Sequence, residues 1–153
     1  MSATVIGLFV SQGGVPKLPV DRLNVKESGC IGDKQNDLRY HGGPNKAVCI
    51  LQNCILEELQ SNGHPIKPGS TGENILVDGC LVGEIYPGSI IKFGELEIEI
   101  TQDAPPCKTI SKSFTDSNFN LISHKKFPNY TRWYGKVIHE GVLTIGATFE
   151  VIN

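Results

Sequence analysis

The chain has 153 residues, a formal net charge of −2 and five cysteines, and these numbers exclude several classes of protein. A length of 153 residues fits one domain, so residues 1–153 are predicted to fold as a single unit with its own core. The slightly negative charge, without a block of Lys or Arg, argues against nucleic acid or an anionic membrane as the main partner. We therefore expect a small-molecule ligand.

The start of the chain and its cysteines indicate a cytoplasmic protein. The apolar run VIGLFV near the N-terminus is too short for a secretory signal or a membrane span, and no positive charge precedes it. The number of cysteines is odd, and no Cys-x-x-Cys pair occurs, which argues against a disulfide framework or a ribbon-type zinc site. Most of the thiols are expected to be reduced and buried.

Short strands punctuated by Gly and Pro dominate the predicted secondary structure. Strand patterns cover residues 4–11, 46–52, 73–79, 89–101, 135–141 and 147–152. In the fourth of these, Leu96, Ile98 and Ile100 alternate with glutamates, which is the period of a half-buried strand, and Gly94 marks a hairpin turn. Many short strands with few helices favour a mainly β fold that closes, or nearly closes, into a barrel.

One or two short helices complete the predicted fold. Residues 53–63 form an amphipathic pattern, with Ile55, Leu56 and Leu59 on one face and an end at Gly63. A weaker helical pattern covers residues 115–126, before Pro128.

Cys107 has the strongest local case for chemistry. Pro105 and Pro106 precede it and restrict the backbone, so the sulfur is presented at a strand end with little freedom. Lys108 follows it, and a neighbouring cation favours the thiolate, which attacks electrophiles or binds metals. The alternative is an ordinary cysteine at a capped strand end.

Two glycine-bracketed segments are candidates for ligand binding. In residues 29–48, Gly42 and Gly43 would let backbone N–H groups approach an anion, and Lys46 would add positive charge. In residues 68–75, polar side chains lead into a strand and could contact the edge of a heterocycle. The alternative in both cases is that the glycines only turn the chain.

Two further arrangements stay open from the residues alone. A relay of Cys107, His41 and Asp33 would suit covalent hydrolysis, because an imidazole can take the thiol proton and a carboxylate can orient the imidazole. A zinc site that uses Cys30, His41 and other thiols is the second arrangement, although the irregular spacing argues against it.

Taken together, the motifs resemble the MOSC domain, the fold shared by the C-terminal part of molybdenum-cofactor sulfurases, by amidoxime-reducing molybdoenzymes and by small stand-alone bacterial proteins. The resemblance depends on four motifs in a fixed order. They are GxxGDxQxDxxxHGGxxKAV at 29–48, GxxGENI at 69–75, Pro-Cys at 106–107 and RWYGKVIHEGVLTIGA at 132–147.

This resemblance implies a mainly antiparallel β-barrel that binds the molybdenum cofactor. Cys107 matches the family's signature cysteine, which would either ligate molybdenum or carry a persulfide sulfur, and both roles need a thiolate. Activity would then consist of sulfur transfer or of reduction of N-hydroxylated compounds with an external electron donor. A sulfur donor or a reductase protein is the implied partner. The alternative is a non-catalytic carrier or storage protein for the same cofactor.

The other implied site residues are candidates for binding this cofactor. Two sets match the family motifs or supply positive charge near them: His41, Gly42, Gly43, Glu73 and Asn74, and the cations Lys46, Lys108, Arg132 and Lys136. Pyridoxal phosphate is not expected, because the resemblance assigns that cofactor to a separate sulfurase domain and no Schiff-base lysine site is recognisable here.

Overall fold

The computed structural model describes residues 3–34 and 43–153, which form eleven strands, one α-helix and several 3-10 turns. The first six strands are β1 (Thr4–Val10), β2 (Leu18–Pro19), β3 (Arg22–Lys26), β4 (Gly29–Cys30), β5 (Val48–Gln52) and β6 (Ile75–Asp78). Helix α1 (Asn53–Ser61) lies between β5 and β6. The last five strands are β7 (Ile90–Phe93), β8 (Leu96–Ala104), β9 (Arg132–His139), β10 (Gly141–Thr144) and β11 (Glu150–Ile152).

The strands form two sheets. The larger has the order β11-β7-β8-β9-β5-β6-β1-β2, and the smaller has the order β10-β3-β4. Within the described part of the chain, the strand pairs are antiparallel except for β5 and β6. A parallel pair needs a crossover connection, and α1 lies on that connection.

The mainly β prediction is confirmed, whereas the closed barrel is not. In the described residues, 3–34 and 43–153, the edge strands of the large sheet are β11 and β2, and these two strands do not pair with each other. An isolated bridge between Thr4 and Thr148 joins the start of β1 to the segment before β11. The described strands therefore form two open sheets around the core.

The core has one large cluster between the sheets, a second cluster beneath α1 and a small third cluster of Cys49, Ala104 and Tyr134. Leu8, Ile50 and Trp133 belong to the large cluster and are fully buried. The apolar face of α1 packs in the second cluster, which confirms the predicted helix. Among the described residues, none of the helices is both long enough and apolar enough to cross a membrane.

Strands β7 and β8 form the predicted hairpin. Phe93 pairs with Leu96, and Gly94 between them has a φ of 66°, a backbone conformation that favours glycine. Strand β9 begins at Arg132, three residues before the predicted strand start, and pairs along β8 as far as Ala104. This longer strand brings Arg132 next to the segment that carries Cys107.

The helix predicted over residues 115–126 is wrong. Short 3-10 turns occupy Lys108–Ser113, Thr115–Ser117 and Phe119–Ile122 instead. Asp116 and Ser117 have φ values of 57° and 56°, in the left-handed region, which interrupts α-helical hydrogen bonding. Strands β3 and β10, which pair with each other, were not predicted.

Candidate functional site

A cavity of about 540 Å³, here called the Cys107 cavity, lies beside strands β5, β8 and β9. Loop residues from around 14–17, 71–74 and 105–110 complete its wall. Four of its lining residues are cations, namely Lys17, Lys34, Lys46 and Arg132. Among the residues that the structure describes, no Asp or Glu lines the cavity. Its electrostatic character therefore favours an anionic ligand.

Cys107 lies on the wall of this cavity with an exposed side chain. Strand β8 ends at Ala104, and Pro105 and Pro106 connect it to the cysteine. The Cys107 carbonyl accepts a hydrogen bond from the Ile110 N–H at 3.1 Å, and the Sγ atom is 2.8 Å from the Thr109 Oγ1 atom. The chain thus presents this thiol to the cavity on a short turn, as the prolines had predicted.

The cations that line the cavity together with Cys107 do not include Lys108. The Lys108 side chain is exposed and does not line the cavity, and Lys136 on β9 is likewise exposed and outside it. Lys46 does line the cavity, and its Nζ atom is 5.5 Å from the centre of the Tyr134 ring. The positive charge around the site therefore comes from distant parts of the chain.

Arg132 joins two loops of the cavity wall. Its Nη1 atom donates to the Thr71 carbonyl at 2.6 Å, and Nη2 donates to the Ala104 and Pro105 carbonyls at 3.1 and 3.2 Å. The side chain is buried, and no carboxylate of the described residues lies within ion-pair distance of it. The buried Nε atom has no hydrogen-bond partner in the described structure. Arg132 therefore links the two loops and, among the described residues, carries a positive charge without an ion-pair partner.

Glu73 organises the loop before β6. It is fully buried, and its carboxylate accepts hydrogen bonds from the Gly69 N–H at 2.7 Å and from the Thr71 hydroxyl at 2.8 Å. Gly69 has a φ of 83°, and a Cβ atom there would lie 2.4 Å from the Lys17 carbonyl oxygen. Glu73, a predicted cofactor ligand, thus does not line the cavity but holds the loop that does.

Asn74 connects three parts of the site and also lines the cavity. Its Oδ1 atom accepts from the Cys49 N–H at 3.0 Å, and its Nδ2 atom donates to the Phe9 carbonyl at 3.1 Å. The same Nδ2 atom donates to Asp33 Oδ2 at 3.0 Å. A buried amide with these partners ties the loop before β6 to both β1 and β5.

A buried ion pair, which the sequence did not reveal, includes the cavity-lining residue Lys17. Lys17 Nζ lies 2.7 Å from Asp33 Oδ2, and both side chains are almost completely buried. Asp33 Oδ1 accepts from the Ser11 N–H at 2.9 Å. Asp33 thus contacts both Lys17 and Asn74. Nothing in the local sequence around Lys17 distinguishes it from a surface lysine.

Two further residues of the cavity wall were missed by sequence reasoning. Burial raises the pKa of Cys49, and burial also raises the pKa of Tyr134, next to Cys49 across the β5–β9 pair. Both groups therefore keep their protons at neutral pH. The sequence predicts that most thiols are buried but does not single out Cys49, and Tyr134 is marked only by its place in the motif at 132–147.

The remaining predicted site residues lie at the edge of the described structure or outside it. Gly43 is exposed at the start of the 3-10 turn Pro44–Lys46, with a φ of 83°. His41 and Gly42 lie outside the described residues, so the relay and the zinc site that use His41 stay predictions. Within residues 3–34 and 43–153, no group of three or more His, Cys, Asp or Glu side chains comes together as a metal site.

The structure contains five free cysteines. Cys30, Cys49 and Cys80 are buried and Cys54 is half-buried, which leaves Cys107 as the exposed thiol. Burial raises the pKa of Cys30 to about 12 and that of Cys80 to about 11. These thiols are therefore poor candidates for chemistry at neutral pH.

Comparisons with known proteins agree with this architecture. Protein YiiM of Escherichia coli strain K12 is 26% identical over 144 residues, which cover 91% of this chain and 63% of the relative. The uncharacterized protein YflK of Bacillus subtilis strain 168 is 30% identical over 125 residues, which cover 80% of this chain and 55% of the relative. The chain thus spans less than two thirds of the length of these two relatives.

Solved structures show a similar fold. The crystal structure of the YUAD protein from Bacillus subtilis has a TM-score of 0.78 at 19% identity, covering 99% of this chain and 96% of the other. The crystal structure of YiiM from Escherichia coli has a TM-score of 0.70 at 24% identity, covering 100% of this chain and 70% of the other. The family model of the MOSC domain matches residues 37–150. The chain is a member of the MOSC domain family.

Proposed function

We propose that the Cys107 cavity binds the molybdenum cofactor. The Cys107 sulfur would act on this cofactor either as a metal ligand or as the carrier of a persulfide sulfur. MOSC domains are associated with the molybdenum cofactor. The observation that carries the proposal is the coincidence, on one cavity wall, of an exposed thiol with four cations and no described acidic residue. The phosphate of a pterin cofactor is anionic, and a metal already bound by a pterin dithiolene favours a further soft sulfur ligand.

The residues present fit such a group. Arg132 lines the cavity, and its positive charge has no carboxylate partner among the described residues. A phosphate in the cavity would be attracted by this charge. Lys34 and Lys46 add positive charge to the same wall, whereas the charge of Lys17 is compensated by Asp33. A ligand that combines a phosphate with a thiophilic centre matches this combination.

The residues of this chain would position the ligand and provide one donor atom. Asn74, Glu73 and Arg132 hold the loops of the cavity wall through their hydrogen bonds. Pro105 and Pro106 restrict the backbone that carries the thiol. When bound, the cofactor would supply the redox or sulfur-accepting centre that the protein's own side chains lack.

Two roles for the sulfur are compatible with this arrangement. As a ligand, the Cys107 thiolate would complete the coordination of the metal, and the protein would reduce N-hydroxylated compounds. That reaction consumes two electrons and two protons and releases water, with electrons from an external reductase. As a carrier, Cys107 would hold a persulfide sulfur received from a donor protein. A non-catalytic carrier or storage protein is the alternative, which would bind the cofactor without turnover.

Measurement of the pterin that copurifies with the protein tests the proposal. The chain is expressed in cells that make molybdenum cofactor, and the pterin is oxidised to its fluorescent form and quantified per chain. We expect the charge reversals Lys34→Glu and Lys46→Glu to lower the pterin content several-fold. Lys136→Glu, which reverses an exposed charge outside the cavity, is the matched control and should keep the wild-type content. Equal pterin content in all four proteins, or none in the wild type, would contradict the proposal.

Turnover assays then separate an enzyme from a carrier. Loaded protein is supplied with a reductase system and an N-hydroxylated substrate, and with a sulfur acceptor in a parallel assay. A non-catalytic cofactor carrier would contain pterin but show no turnover in either assay. Absorbance spectra of the same preparations would detect pyridoxal phosphate, which we do not expect as a Lys-linked chromophore.

A further inference from the structure

The backbone around Cys107 is fixed on both sides of the residue. Before it, Arg132 donates to the carbonyls of Ala104 and Pro105. After it, the Ile110 N–H donates to the Cys107 carbonyl, and the Ile110 side chain is buried in the cluster beneath α1. The sulfur can therefore change its position mainly by rotation about the Cα–Cβ bond, which has three staggered positions.

Thr109 makes the contact that selects among these positions. Its Oγ1 atom lies 2.8 Å from the Cys107 Sγ atom, and both residues line the Cys107 cavity. Within the described structure, the Thr109 hydroxyl has no other hydrogen-bond partner, and neither has the Cys107 sulfur. Threonine is branched at Cβ, which restricts rotation about its own Cα–Cβ bond, so the position of the hydroxyl next to the sulfur is restricted as well.

We propose that Thr109 is the positioning residue for the Cys107 sulfur. The hydroxyl holds the sulfur in one rotamer on the cavity wall and donates a hydrogen bond to it. The direction of the bond follows from the proposed function, on which this step rests. A sulfur bound to a metal or to a second sulfur has no proton to donate, whereas the threonine hydroxyl has one. Hydrogen bonds of this kind orient the ligands of a metal and tune their donor strength.

Crystal structures of the ligand-free protein test the positioning role. Thr109→Val keeps the shape of the side chain and removes the hydroxyl, and Thr109→Ser restores a hydroxyl. We expect one Cys107 rotamer in the wild type and in Thr109→Ser, with the sulfur within hydrogen-bond distance of residue 109, and at least two rotamers in Thr109→Val. Thr115→Val, an exposed threonine outside the cavity, is the control and should show the wild-type rotamer.

An unchanged single rotamer in Thr109→Val would overturn the proposal, as would a wild-type sulfur turned away from Thr109. If Thr109→Val does not fold, Thr109→Ala removes the same hydroxyl and is judged by the same criterion.

Retention of molybdenum or of cyanide-labile sulfur after dialysis is the second readout. We expect it to fall several-fold in Thr109→Val and to stay near the wild-type value in Thr109→Ser. Equal retention in the two variants would overturn the proposal that the Thr109 hydroxyl positions the sulfur for its ligand. If the wild type itself holds neither element, the proposed function fails, while the rotamer comparison still decides the role of Thr109.

Discussion

Replacement of Arg132 by lysine tests whether the guanidinium links the two loops of the cavity wall. The arginine reaches the Thr71 carbonyl with one nitrogen and the Ala104 and Pro105 carbonyls with another. Lysine keeps the charge but has a single nitrogen and lacks the planar fork. One ammonium group cannot occupy both positions, so at least one end of the link loses its donor.

The expected loss of stability follows from these contacts. A hydrogen bond to a charged group contributes about 1.5–3 kcal/mol, and an unsatisfied buried carbonyl costs about 1–3 kcal/mol. Because Arg132 is only 7% exposed, solvent cannot replace the lost donors effectively. We therefore expect Arg132→Lys to lower the free energy of unfolding by about 2–4 kcal/mol.

Urea unfolding followed by fluorescence measures this change. Trp133, the single tryptophan of the chain, is fully buried and adjacent to the substituted residue in β9, so its emission reports unfolding. Lys136→Met removes an exposed charge from the same strand and should change the free energy of unfolding by less than about 0.5 kcal/mol. A loss below that same limit in Arg132→Lys would refute the proposed link between the loops.

Three further predictions concern packing and the thiols. Gly135→Ala should destabilise the protein by about 1–3 kcal/mol in the same assay, because the added Cβ would lie 2.4 Å from Ile98 Cγ2. Unchanged stability would contradict this prediction and show that β8 and β9 can move apart to accommodate a methyl group. Iodoacetamide at pH 8 should label Cys107 faster than the buried Cys30 and Cys80, as measured by peptide mass spectrometry; equal rates in the native protein would contradict the described burial. The free energy of unfolding should fall above pH 9, by up to about 1.4 kcal/mol per pH unit for each thiol. The reason is that an unfolded thiol ionises near 9.0, whereas the pKa values of folded Cys30 and Cys80 are about 12 and 11. A free energy of unfolding that stays constant or rises from pH 8 to pH 10 would contradict this prediction.

Local patterns predicted those parts of the fold that depend on near neighbours in the sequence. The alternation of Leu96, Ile98 and Ile100 determines one face of β8, and Gly94 determines the turn, so both could be read from a few residues. The amphipathic pattern of α1 was equally informative. In residues 115–126 the spacing of the apolar residues resembles that of an α-helix. In the structure, Phe114 and Ile122 are both buried in the cluster beneath α1, and two residues between them have left-handed backbone conformations. Tertiary packing thus overrode local preference there.

The site was predictable only where its chemistry lies in one segment. Cys107 could be identified from its prolines and from the family motifs. The Lys17–Asp33 ion pair joins residues that are 16 positions apart, and no local pattern announces such a pair. Arg132 and Glu73 are predicted to contact the cofactor, and their described hydrogen bonds hold loops of the cavity wall. Sequence motifs therefore pointed to the loops around the cavity, whereas the hydrogen bonds that hold these loops together could be found only from three-dimensional contacts.

The most direct test of the central claim is the content of molybdenum and cyanide-labile sulfur per chain in wild type and Cys107→Ser. Both proteins are purified under reducing conditions from cells that make molybdenum cofactor. If the Cys107 sulfur acts on the cofactor, the serine variant should lose most of the molybdenum, as expected for a ligand, or most of the labile sulfur, as expected for a carrier. A serine variant that retains wild-type amounts of both would contradict the claim.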